Sequence, residues 1–144
     1  MARDTNLELV ATTVTVTATG DIGDEKDTEG GFWAMIRMFL GTVTGTTVVL
    51  DVAVLCSIDG GATDFNIGQF PTIDEADDDI EIARAVYIPK PASGQSFTKV
   101  KINARVVTGT SPSIPIDRAF IEPLVSLGIP GVDEQLTVGV ELLI

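Results

Sequence analysis

Between Thr13 and Thr19 the chain alternates valine or alanine with threonine, and the same two-residue period returns along much of its length. Such a period sends successive side chains to opposite faces of a pleated strand, so one face can enter a core while the other meets water. The β-branched residues that fill it suit that surface. Residues 47–57 read the same way, with Leu50, Val52 and Val54 on one face, as do residues 65–71, 80–88, 96–107, 119–123 and 135–144. Each run is short and bounded by Gly, Pro, Asn or Asp, which end strands and make turns. Residues 32–40 are rich in helix formers, but nine residues closed by glycines are too few for a globular helix, so a strand is predicted there as well.

Between these runs, residues 20–31 predict a polar loop, 41–46 a turn, 73–81 an exposed acidic loop, and 111–115, with two prolines, a break. About eight short strands with this spacing in 144 residues predict a single all-β domain, a jelly-roll-like β-sandwich. Residues 1–12 have two readings. They form an ordinary first strand of the sandwich, or they extend as an N-terminal arm on which Leu7, Leu9 and Val10 contact a partner by strand addition. The tetrapeptide Val43-Thr44-Gly45-Thr46 recurs as Val107-Thr108-Gly109-Thr110, which suggests two comparable strand-end turns or a chance match of turn-prone residues.

Charge narrows the partners. Twenty-one acids against nine bases give a formal net charge of −12, which argues against nucleic acid and against an anionic membrane surface. The apolar run 32–40 contains Arg37 and falls short of the roughly 20 residues a membrane helix needs. The polar opening Met1–Asn6 has no apolar core segment, so synthesis in a cytoplasm without secretion is expected. Cys56 lies in an apolar run and predicts a small buried hydrophobe. Trp33, beside Phe32, is expected in the core, and Tyr87 in the core or at its rim.

Little in the residues points to catalysis. The chain has no histidine to activate a Ser or Cys nucleophile, and Ser93, Ser96 and Lys99 lack the pattern of a Ser–Lys pair. Carboxylate catalysis needs an acid in an apolar setting, whereas the acids here cluster in stretches that read as solvated. Asp77, Asp78 and Asp79, with Asp74 and Glu81, are candidate Ca²⁺ ligands by charge density, without the spacing of an EF-hand. No cofactor is implied. The stretch Ser57-Ile58-Asp59-Gly60-Gly61-Ala62-Thr63-Asp64-Phe65 resembles the sialidase-type Asp-box, with an extra Asp64 and with Phe65 in place of Trp. That resemblance implies a structural turn held by Ser57, Asp59, Gly60 and Gly61, and no chemistry.

Residues 50–61, then Ile67-Gly68-Gln69-Phe70-Pro71, Val86-Tyr87-Ile88-Pro89 and Arg105 to Pro112, together resemble head decoration (cement) proteins of tailed bacteriophages, of β-sandwich type. The resemblance implies a virion protein on the capsid exterior that bridges neighbouring major capsid proteins, commonly as a homotrimer. The competing reading is a tail or head-fibre binding module that recognises a host glycan or protein. An exposed aromatic platform at Trp33 or Tyr87 would favour that module.

Overall fold

The structure, a computed structural model, describes residues 7–124, and these are all-β. Eight strands succeed one another within them: β1 (Glu8–Val10), β2 (Val14–Val16), β3 (Gly20–Thr28), β4 (Phe32–Leu40), β5 (Thr44–Ser57), β6 (Phe65–Gln69), β7 (Glu81–Ile88) and β8 (Thr98–Pro123). They form one sheet in the order β6-β5-β8-β4-β7, with β1, β2 and β3 also paired to β8. The first part of β8, residues 98–104, lies between β3 and β5, and its later part, residues 116–120, lies between β1/β2 and β4. All of these pairings are antiparallel. Because β6 lies against β7 and β1 against β3, the sheet rolls into a nearly closed barrel.

The all-β class and the strand number agree with the alternation in the sequence. The two layers expected of a sandwich are instead halves of one sheet, because residues 111–115 do not break the strand. They lie inside β8, a strand of 26 residues. Ser111 bends the chain there with a φ of 49°. Pro115 has no N–H to give, but its carbonyl accepts from the Gly41 amide at 2.9 Å. Residues 135–144 lie outside the described residues.

The repeated Val-Thr-Gly-Thr has a structural basis: the first copy opens β5, a strand end as expected, whereas the second lies inside β8. Thr46 pairs with Thr110 across β5 and β8, between register shifts on both sides, so the two copies face each other. Gly45 and Gly109 have nearly the same φ, 121° and 115°. A β-carbon on Gly109 would meet the carbonyl oxygens of Thr46 and Thr47, each at 2.8 Å. These facing irregularities curve the sheet between its halves, as bulges do.

The core follows the two-residue period closely. Ala34, Ile36, Met38 and Leu40 point inward from β4, Val48, Leu50, Val52 and Val54 from β5, Val100, Ile102 and Ala104 from β8, and Ile114 and Ile116 from its far half. Two further predictions about the strands need correction. Residues 20–28, predicted as loop, are strand β3, which buries Ile22 and Thr28 against β8 and turns most of its acids to water. The arm reading also fails for the described residues: Leu9 is 0% and Val10 2% exposed, both sit in the barrel's own core, and Leu7 packs against it. These three residues are therefore not a free partner contact. Their apolar side chains gain more from burial in this core than from waiting in water.

Candidate functional site

The Ser57–Asp59 turn is built as its sequence implies. The Ser57 hydroxyl donates to Asp59 Oδ1 at 2.7 Å, Gly61 N donates to Ser57 Oγ at 2.9 Å, and Thr63 N donates to Asp59 Oδ1 at 2.9 Å. Gly60 supplies a φ of 78° that the turn requires. The Ser57 hydroxyl, followed by the Thr63 amide, holds the Asp59 carboxyl below the usual 3.8. A depressed carboxyl stabilises the fold above pH 3.8, and that contribution is lost as pH falls through the lower folded value. Asp59→Asn is therefore expected to melt below the wild type near neutral pH, with the gap closing in strong acid. Thermal melts of both proteins across that range check it, and a gap independent of pH would remove the role given to the carboxylate.

The acidic loop uses its carboxylates on backbone amides, its own and those of Val43 and Val48. Asp78 Oδ1 accepts from Val43 N at 2.7 Å, Glu75 Oε2 from Val48 N at 2.8 Å, and Asp77 Oδ2 from Asp74 N at 2.9 Å. Asp79 Oδ2 takes the Thr42 hydroxyl at 3.4 Å. Asp77, Asp78 and Asp79 thus turn to different partners, and among the described residues no group of three acids, histidines or cysteines is placed to hold a metal ion. On the outer face of β8, Lys101 pairs with Asp64 at 2.9 Å and Asp21 at 3.2 Å, and Lys99 with Asp27 at 3.0 Å. Asn103 donates to Asp21 at 2.7 Å and, ahead of Lys101, lowers its carboxyl. This ladder explains why acidic β3 adheres to β8. Cys56 is buried, and loss of solvent, with Asp64 nearby, pushes its thiol up to about 11, away from nucleophilic chemistry.

An aromatic pair faces solvent where β4 meets β7, while Phe65 (39%) and Phe97 (48%) are exposed singly elsewhere. Inward residues of β4 occupy even positions, so Trp33, Met35, Arg37 and Phe39 turn outward. Trp33 is 40% and Tyr87 44% exposed, which corrects the expected burial of Trp33. The two residues are register partners, with ring centroids 5.6 Å apart and planes at 65°. Beside them is a surface cavity of about 440 Å³ lined by Trp33, Ile67, Arg84, Ala85 and Tyr87. It lies at the seam between β6 and β7, where the barrel is not hydrogen-bonded shut.

Further along this outer face Arg37 is neutralised twice, by Glu81 at 2.6 Å and Glu122 at 3.2 Å, and Phe39 stacks on Phe120 with centroids 5.9 Å apart. Sequence reasoning missed Arg84 and Ile67. Arg84 left a legible trace, since it stands where the series Ile82, Val86, Ile88 calls for an apolar residue. The chain matches no known protein family, no curated protein and no solved structure.

Proposed function

We propose that this chain is a non-enzymatic binding domain whose contact surface is the Trp33–Tyr87 face. The observation that carries the reading is the exposure of these two rings, in edge contact with each other beside a surface cavity. Trp and Tyr combine a large apolar area with a polar tip and dominate the energetics of protein interfaces.

The particular role that the phage resemblance supports is capsid decoration. In that role the domain sits on the capsid exterior, bridges neighbouring major capsid proteins and stabilises the shell, as a homotrimer at local three-fold positions. Its excess of acids keeps many copies soluble before attachment. The exposed aromatic pair also favours the second reading, a tail or head-fibre module for a host glycan or protein. Rings inclined at 65° make a ridge and a notch more than a flat platform, which suits a protein surface better than the face of a sugar.

Quantitative mass spectrometry of purified particles from the source separates the two. A copy number close to that of the major capsid protein, or one trimer per local three-fold, is expected for decoration, whereas a handful of copies would move the domain to the tail. Trp33→Ala and Tyr87→Ala should each weaken attachment to particles by about 30-fold, the scale of an interface hot spot, with little change in melting temperature. Undiminished attachment of both variants would remove this face from the contact.

A further inference from the structure

Arg84 is the residue at the candidate face that the barrel itself does not explain. By alternation it shares the inward side of β7 with Val86 and Ile88, both buried, yet it is exposed. The seam makes this possible. Gly68 on β6 lies opposite, and a β-carbon there would come 2.5 Å from Val86 Cγ1 and 3.4 Å from Arg84 Cγ. With no side chain at Gly68, the Arg84 side chain lies over this glycine and lines the cavity with Trp33, Tyr87 and Ile67.

Acids outnumber bases by 21 to 9, and Arg37 on neighbouring β4 holds two carboxylates. Among the described residues, however, no carboxylate pairs with Arg84. Lys90, Arg105 and Arg118 also lack an ion pair among the described residues, but none of them lines the aromatic cavity. A guanidinium between apolar walls is a bidentate receptor for a carboxylate, and its attraction strengthens once a partner excludes water.

We infer that the Trp33–Tyr87 cavity receives an aspartate or glutamate side chain of the protein to which this domain attaches, with its carboxylate seated on Arg84. The inference rests on the binding reading above and adds the chemistry of the partner. The chain as a whole is acidic, 21 acids against 9 bases, so a partner that matches it is basic overall and offers one carboxylate at this point. Attachment then has two parts, a salt-sensitive general attraction and a local pair that only Arg84 can make.

The test uses the full chain and capsid particles stripped of it, with binding measured for wild type, Arg84→Glu, Arg84→Lys and Trp33→Ala, alongside melting temperature. Arg84→Glu is expected to lose roughly 100-fold or more in affinity, since it sets two carboxylates against each other, and Arg84→Lys an intermediate amount, since lysine keeps the charge but not the fork. Melting temperatures should stay at the wild-type value, because the side chain is exposed. If Arg84→Glu attaches like wild type while Trp33→Ala does not, the carboxylate pairing is overturned and the binding face stands. If the wild type itself does not attach, the capsid reading falls and the inference with it. Arg84-dependent binding to a sialylated or uronate oligosaccharide, without binding to particles, would overturn the protein source of the carboxylate.

Discussion

Leu50→Ala is expected to destabilise the fold by about 3 kcal/mol, which for a domain of this size lowers the melting midpoint by about 10 °C. Leu50 is 0% exposed near the middle of β5. Its backbone is fixed on both sides, by Val107 of β8 and by a reciprocal pair of 2.9 Å hydrogen bonds with Ile73. A cavity bordered by backbone that is already bonded has little freedom to collapse, so the cost falls well inside the large range for such truncations. Val106→Ala, at a 38% exposed position of β8, is the control and should change stability by less than about 0.5 kcal/mol. Denaturant titration of both variants checks this, and equal midpoints would contradict the core described here.

Gly30→Ala is expected to cost about as much for a different reason, again about 3 kcal/mol. Gly30 has a φ of 69°, and a β-carbon there would run into the Pro89 carbonyl oxygen and sit 2.8 Å from Thr98 Oγ1. Four segments meet at this point. The Thr98 hydroxyl donates to the Pro89 carbonyl at 2.6 Å, the Gly30 amide donates to Thr28 Oγ1 at 3.2 Å, and the Gly31 amide donates to the Ile88 carbonyl at 2.6 Å. Gly94 has a similar φ of 88° with nothing near its missing β-carbon. Gly94→Ala therefore carries only the backbone strain, about 1 kcal/mol. The difference between the two variants in a thermal melt measures the crowding at Gly30, and no difference would mean that the junction yields freely.

What could be read from the sequence was whatever depends on neighbours in the chain. The bounds of β4, 32–40, follow from the length of its apolar run and the glycines that close it, and the Ser57–Asp59 turn follows from residues two and four apart. What could not be read depends on partners far away. β3 looks like loop because its acids have no visible counterpart, yet Lys99, Lys101 and Asn103 meet them some 70 to 80 residues later. The prolines at 112 and 115 argue for a break, but residues 113–116 keep partners on β5 and β2, and Pro112 falls in the register shift between Thr110 and Ser113, where prolines are tolerated.

At the candidate face the two cues conflicted. The apolar run around Trp33 suggested burial, while the period of two put Trp33 on the outside with Arg37, and the period prevailed. Arg84 was visible as a charge out of register, but its meaning required the position of Gly68 on another strand.

β8 is the eighth strand in chain order, and β1, β2, β3, β4 and β5 all pair with it. As the chain leaves the ribosome, only the β4–β7 and β5–β6 pairs can form among the earlier strands. Their open edges must wait until residue 123 has emerged before the sheet can roll shut. Assembly is therefore late and nearly all-or-none, with mostly long-range pairings and a correspondingly slow closure. A ribosome stalled before β8 would hold a chain of unmatched edges, the state in which this protein is most exposed to aggregation.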